Sequence, residues 1–314
     1  MRRVNTVLAL FLAVALAVGL MLIVVTSRGT RLPIAVGSVA TKAGSSTTSV
    51  VQHRAFFLAV GASGSLGYQP MGIPGGREHA TKFSYTNDLV RIEAQRGVQL
   101  NLHQIGCPGE TMASMLTAID HCFSRSDGQL KQAVDFLHAH RSDSGLVTID
   151  LGFNDVRACL TRPTIDHVCA SSGVNAVSAS MARVLATLRA AAGAKVQFVG
   201  LLVNDPFLAH YLNGPNGRSD SAFTLSTMVS LNKVLSSGFQ RVGIPVADIA
   251  KAYKMTDQTL THLEGVGVIP TNVAMVCQLT WMCKKSPWGP DDHPNNAGYL
   301  VIANMVAEQL RAPL

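Results

Sequence analysis

From residue 55 onward, apolar and polar positions fall into alternating blocks that predict two kinds of element. Short apolar-rich runs occupy 55–61 (AFFLAVG), 98–105, 146–151 (LVTIDL), 196–203 (VQFVGLLV) and 244–249. Runs of that length, rich in β-branched and aromatic residues, read as strands buried on both faces. Longer stretches lie between and after them, at 85–96, 111–119, 129–140, 176–192, 221–242 and 295–311, with the apolar spacing of amphipathic helices. Strands alternating with helices predict a mostly parallel sheet covered on both sides, here one doubly wound α/β domain of five strands. In such a sheet ligands gather beyond the carboxyl ends of the strands. Those ends carry Gly61-Ala62-Ser63, Cys107-Pro108-Gly109 and Gly152-Phe153-Asn154-Asp155.

A different pattern precedes the domain. Arg2 and Arg3 lead into 7–25 (VLALFLAVALAVGLMLIVV), an apolar run without a charge. About 20 apolar residues span a bilayer as a helix, whereas a signal-peptide core takes roughly 7–15. The residues that follow, Thr26-Ser27-Arg28-Gly29, offer no clean small-x-small cleavage site. A membrane anchor over 1–27 is the favoured reading, with a removed signal peptide as the alternative. Residues 28–53, which include KAGSSTTS, read as a flexible linker, and 54–314 as the folded domain. Either reading places the domain outside the cytoplasmic membrane, anchored to it or secreted.

Charge changes the picture less than it first promises. The net charge is +7, but Arg2, Arg3, Arg28, Arg31, Lys42 and Arg54 precede residue 55 and no acidic residue does. The remainder holds 20 basic against 19 acidic residues, so the domain carries no nucleic-acid footprint. A charged fraction of 14% beside 47% hydrophobic residues excludes a disordered chain. Six cysteines, an even number in an exported chain, point to disulfides. They fall into three close couples, which predict Cys107–Cys122, Cys159–Cys169 and Cys277–Cys283. No CxxC and no Cys/His cluster with finger spacing occurs, so no metal is expected.

Gly61, Gly64 and Gly67 follow the first strand and raise two readings. A dinucleotide loop would open a helix and meet an acidic residue about 20 positions on. Here Tyr68-Gln69-Pro70-Met71-Gly72-Ile73-Pro74 follows, a poor helix, and the next strand ends in Ile105-Gly106-Cys107. No cofactor is expected. The other reading is a turn presenting a serine, with Ser63 nearer the strand end than Ser65. A serine hydroxyl needs a base, a group that orients the base, and donors for the oxyanion. Gly289-Pro290-Asp291-Asp292-His293-Pro294-Asn295 supplies a histidine beside two aspartates on a proline-bounded loop.

Four ordered blocks resemble the SGNH/GDSL hydrolases: Gly61-Ala62-Ser63 with Leu66-Gly67-Tyr68-Gln69; Cys107-Pro108-Gly109-Glu110-Thr111; Gly152-Phe153-Asn154-Asp155; and His293-Pro294-Asn295 with Gly298-Tyr299. Asn204-Asp205-Pro206-Phe207-Leu208 and Thr280-Trp281-Met282-Cys283 are similar to exported actinobacterial members. The resemblance spans roughly 55–311. It implies a three-layer α/β/α sandwich of flavodoxin-like type around a mostly parallel five-stranded sheet. It also implies an exported serine esterase or lipase, forming an acyl-enzyme on Ser63 with His293 as base. The N–H groups of Ser63 and Gly109 and the amide of Asn154 would form the oxyanion hole, and Asp155 would be structural. Substrates would be carboxylic esters, either acyl lipids or acylated glycans; the protein is expected to be a monomer that meets the membrane through its N-terminal helix. Acyl transfer to sugar hydroxyls and a catalytically weak binding module are the alternatives. Trp281 and Trp288 would line an acyl or sugar pocket, or pack on the core.

Two positions depart from the family. Ala62 stands where the nucleophile block has an aspartate, which removes local support from the loop. Pro290 stands three before His293, where the triad aspartate is usual. Asp291 is the favoured orienting group, and the Pro290 carbonyl is the alternative.

Overall fold

The computed structural model describes residues 53–117, 122–123, 126–161, 165–311 and 314. The expected anchor over 1–27 and all but the last residue of the expected linker lie outside these. Among the described residues no helix is long and apolar enough to cross a membrane.

In chain order the elements are β1 (His53–Gly61), a 3₁₀ turn (Ser63–Leu66), α1 (Tyr85–Gln95), β2 (Val98–Gln104), α2 (Ser114–Thr117), α3 (Gln129–Ala139) and β3 (Gly145–Asp150). Then come α4 (Phe153–Leu160), α5 (His167–Ala191), β4 (Val196–Leu201), a 3₁₀ segment (Pro206–Asn213) and α6 (Gly214–Arg241). The chain closes with β5 (Val246–Ala247), α7 (Ile249–Ala252), the hairpin of β6 (Leu260–Leu263) and β7 (Gly267–Pro270), α8 (Thr271–Leu279) and α9 (Asn296–Ala307).

The central sheet runs β2-β1-β3-β4-β5, all parallel. β1 carries a partner on each side, with Phe57 opposite both Leu102 and Leu146, and every residue from Ala55 to Gly61 is buried. Alternation along the strand builds two cores. Phe56, Leu58 and Val60 face one that includes Leu137, Val177, Leu188, Met228 and Phe239 from α3, α5 and α6. Ala55, Phe57 and Ala59 face the other, with Leu89, Tyr299, Ile302 and Val306 from α1 and α9. This is the expected three-layer α/β/α sandwich. The strand order reverses between β1 and β3, which opens a crevice at their carboxyl ends.

Several boundaries differ from the sequence reading. The last strand shrinks to two residues, since Ile244 turns into the core and Pro245 has no N–H to give. α5 starts nine residues earlier than expected: Asp166 caps it by accepting from the Cys169 N–H, and Ser171, Ser172 and Gly173 dilute the apolar stripe there. α6 likewise starts at Gly214 rather than 221. α2 is a single turn, and 118–121 lie outside the described residues. α4, α7, α8 and the β6–β7 hairpin are too short to show a period. The three expected disulfides, Cys107–Cys122, Cys159–Cys169 and Cys277–Cys283, are all present.

Candidate active site

β1 ends at Gly61, and the chain turns at once through the 3₁₀ turn, closed by Gly67 in the left-handed region (φ 68°). Gly67 and Tyr68 donate their N–H groups to the carbonyls of Gly64 and Ser63. The two candidate serines part company here. Ser65 is fully buried and donates to the Ala62 carbonyl at 2.8 Å, while Ser63 opens into a cavity. The loop is pinned from outside as well: Gln104 and Thr86 both donate to the Ser65 carbonyl, at 2.8 and 3.1 Å. Ala62 itself is buried.

His293 arrives from the other end of the chain, on the loop between α8 and α9. Thr280 bridges to Pro294 and the Trp281 N–H donates to the His293 carbonyl, so the Cys277–Cys283 loop and the histidine loop hold one another. His293 Nε2 lies 2.9 Å from Ser63 Oγ, and Nδ1 lies 3.0 Å from Asp291 Oδ1. The same Asp291 oxygen accepts the His293 backbone N–H at 2.9 Å. The carboxylate therefore fixes the proton on Nδ1 and leaves the Nε2 lone pair for the Ser63 hydroxyl. Of the two orienting groups left open by the sequence, the structure places Asp291 against Nδ1.

Asp292 turns the other way. It receives two bonds from the Arg157 guanidinium, one of them at 3.1 Å, and its near oxygen stays 3.7 Å from Nδ1. Burial alone would lower the His293 pKa. The Asp291 hydrogen bond and the charges of Asp292, Asp291 and Glu78 outweigh burial and hold it above its ordinary value. For Asp291, burial pulls upward, but the His293 bond and charge prevail and hold it below the usual carboxylate range. Glu78, pushed up by burial and by Asp291, completes a group with Asp291 and His293 whose ligand atoms lie within 4.8 Å of one another. Both imidazole nitrogens in that group are already engaged, by Ser63 and Asp291, so its geometry suits proton handling better than a metal.

Of the three expected oxyanion donors, Ser63 and Asn154 line the cavity. Asn154 sits in the first turn of α4 and donates one amide hydrogen to the Glu110 carbonyl at 3.0 Å, leaving the other. Gly109 sits on an exposed turn (φ 82°) and is not part of the cavity wall. Asp155 is a staple rather than a reacting group: its carboxylate accepts the Met112 N–H at 2.9 Å, tying the turn after β2 to α4. Burial raises its pKa to about 6. Trp281 donates to Gln69 and stacks on Trp288 at 5.4 Å, and neither tryptophan lines the Ser63 cavity. The cavity has a volume of about 90 Å³ and is walled by Phe153, Leu202, Val203 and Pro206. Sequence reasoning did not find Arg157, Glu78 or Gln129, because each acts through a partner remote in the chain: Asp292, Asp291 and Gly61.

The GDSL-like lipase/acylhydrolase family model matches residues 60–301. Among solved structures, the chain is similar to a phospholipase A1 from Streptomyces albidoflavus, at 18% identity, over 82% of this chain and 99% of that one, with a TM-score of 0.50. It is also similar to an extracellular lipase from Streptomyces rimosus, at 16% identity, over 82% and 100%, with a TM-score of 0.51. At such identities the likeness is one of fold. No curated protein sequence matches.

Proposed function

We propose a serine esterase acting on short acyl esters: the chain belongs to the GDSL-like lipase/acylhydrolase family, and a single observation carries the finer reading. His293 bridges Ser63 and Asp291 at 2.9 and 3.0 Å, the relay that a serine nucleophile requires. In this mechanism Nε2 takes the hydroxyl proton as Oγ adds to the ester carbonyl. The oxyanion is met by the Asn154 amide and by the Ser63 N–H, the two expected donors that line the cavity. The imidazolium then protonates the leaving alkoxide, leaving the acyl group on Ser63. A water, deprotonated by the same nitrogen, releases the acid.

The cavity supports a short acyl group, since its volume of about 90 Å³ is well below the roughly 300–1,000 Å³ of pockets for drug-sized ligands. Three disulfides support an oxidising location outside the cytoplasm, with 7–25 as the anchor or leader. The test is hydrolysis of a p-nitrophenyl ester series by the full chain in detergent, with Ser63→Ala as control. Ser63-dependent turnover, highest on the shortest acyl groups, is the expected result. No Ser63-dependent turnover at any length would sink the reading, and fluorophosphonate labelling of Ser63 without hydrolysis would point to acyl transfer.

A further inference from the structure

Two polar groups in the cavity lack partners, and they are of opposite kinds. Asp150, the last residue of β3, turns its carboxylate toward the nucleophile turn. A Cβ on Gly64 would lie 2.7 Å from Asp150 Oδ2, so the absent side chain beside Ser63 makes room for the carboxylate. Among the described residues no hydrogen bond reaches that carboxylate. The two nearby phenols are committed elsewhere: Tyr85 pairs with Thr148 at 3.1 Å and Tyr299 donates to the Tyr68 carbonyl at 2.9 Å. Burial raises the Asp150 pKa to about 6, against the opposing pull of His293. Asn204, just past β4 in the same wall, has a buried Nδ2 with no partner.

Asn204 Nδ2 is buried without a partner, which is costly and rare in native interiors, while the half-buried Asp150 carboxylate has no protein donor among the described residues. Here an acceptor without a donor and a donor without an acceptor share one small cavity with Ser63, whose other charged wall groups, Asp292 and Arg157, are paired with each other. A hydroxyl group satisfies both, giving its hydrogen to the carboxylate and taking one from the amide. An unsubstituted alkyl chain satisfies neither and must also desolvate the carboxylate.

We propose that Asp150 and Asn204 form a hydroxyl-recognition subsite, so that the preferred substrate is a short ester carrying a hydroxyl a few bonds from the reacting carbonyl. The inference rests on the esterase reading and narrows it. The hydroxyl could belong to the acyl group or to the alcohol, and two matched pairs separate these. The acyl pair is p-nitrophenyl 3-hydroxybutyrate against p-nitrophenyl butyrate. The alcohol pair is glycerol monobutyrate against propyl butyrate.

With the full chain in detergent at pH 8, one pair should show at least about tenfold higher kcat/KM for the hydroxylated member. Asp150→Leu and, separately, Asn204→Ala should collapse that ratio toward one. In the wild type the ratio should narrow as pH falls through about 6, where Asp150 takes up a proton. Of the other titratable groups around it, His293 serves both members of a pair equally and cancels in the ratio, while Tyr85 and Tyr299 stay neutral there. Asp292 and Arg157, which also line the cavity, are paired with each other. Asp150→Leu removes a buried charge, so its melting temperature at pH 8 should not fall, and Asn204→Ala provides a second variant if it does. Equal kcat/KM within both pairs, or a preference that survives Asp150→Leu and Asn204→Ala, overturns the proposal. If none of the four esters is hydrolysed and fluorophosphonate leaves Ser63 unlabelled, it is the esterase reading that has failed.

Discussion

Gln129 holds both backbone polar groups of Gly61: its Oε1 accepts the Gly61 N–H and its Nε2 donates to the Gly61 carbonyl, each at 2.9 Å. The same Nε2 reaches Glu110 Oε2 at 3.3 Å, and the Glu110 carbonyl accepts from Asn154. One buried amide thus ties the strand end that precedes Ser63 to the turn that holds Asn154. This tie, with the Gln104 and Thr86 bonds, supports the loop where Ala62 offers no carboxylate. Gln129→Met keeps the volume but strands the Gly61 N–H, while the Gly61 C=O keeps the Cys107 N–H at 3.0 Å. It should cost about 1–3 kcal/mol in denaturant unfolding. It should also lower kcat about ten- to a hundredfold with KM nearly constant, because the reacting groups are misplaced rather than the pocket reshaped.

Asp291→Asn should lower kcat by about 10³–10⁴-fold, since an amide can present its N–H to Nδ1 and put the imidazole proton on the wrong nitrogen. Steady-state kinetics on a short p-nitrophenyl ester measures this. Full activity in that variant would remove Asp291 from the relay.

The base must be neutral to work, and its surroundings hold His293 above the ordinary 6.5. The rising limb of kcat/KM against pH should therefore have its midpoint above 6.5. Asp292→Asn removes one of the charges that raise it, so the midpoint should move to lower pH. Asp292 does not hold Nδ1, so the plateau rate should change far less than in Asp291→Asn.

Asn154→Ala should slow kcat by about a hundredfold or more, equivalent to about 3 kcal/mol of lost oxyanion stabilisation. Affinity for the unreacted ester should hardly change. A KM that rises while kcat holds would make Asn154 a pocket wall rather than a donor.

Asp205 is fully buried; its Oδ1 accepts the Phe207 N–H at 3.0 Å, and Oδ2 has no partner. Burial raises its pKa from 3.8 to about 7. The folded state therefore binds more protons than the unfolded state between those values, and stability falls as pH rises through that window. Asp205→Asn keeps the acceptor and removes the charge. Its stabilisation should be small near pH 4 and reach a magnitude on the order of 4 kcal/mol by pH 8, read from melts across pH. A gain independent of pH would contradict the sign.

The parallel sheet was legible because β1, β3 and β4 are buried on both faces, which writes their positions as apolar runs. Ser63, Asn154 and His293 were legible for a different reason: each sits at an element end, in a short block of unusual composition. What stayed hidden is pairing. Gln129 reads as an ordinary helix-start residue until Gly61, 68 positions away, is brought against it. Arg157 and Asp292 are 135 positions apart, and nothing local marks either as the other's partner. Asp150 was hidden within its own strand, because a carboxylate ending an apolar run does not say which way it faces.

Asn154 and Arg157 share the short helix α4, three residues apart, and the Cys159–Cys169 bond fastens that helix to α5. One of them lines the cavity beside Ser63, and the other grips the loop that carries His293. The two halves of the site come from opposite ends of the domain sequence, yet both are referenced to this one peg. Any exchange of α4 between relatives would reset the depth of oxyanion stabilisation and the working pH together, as one inherited setting.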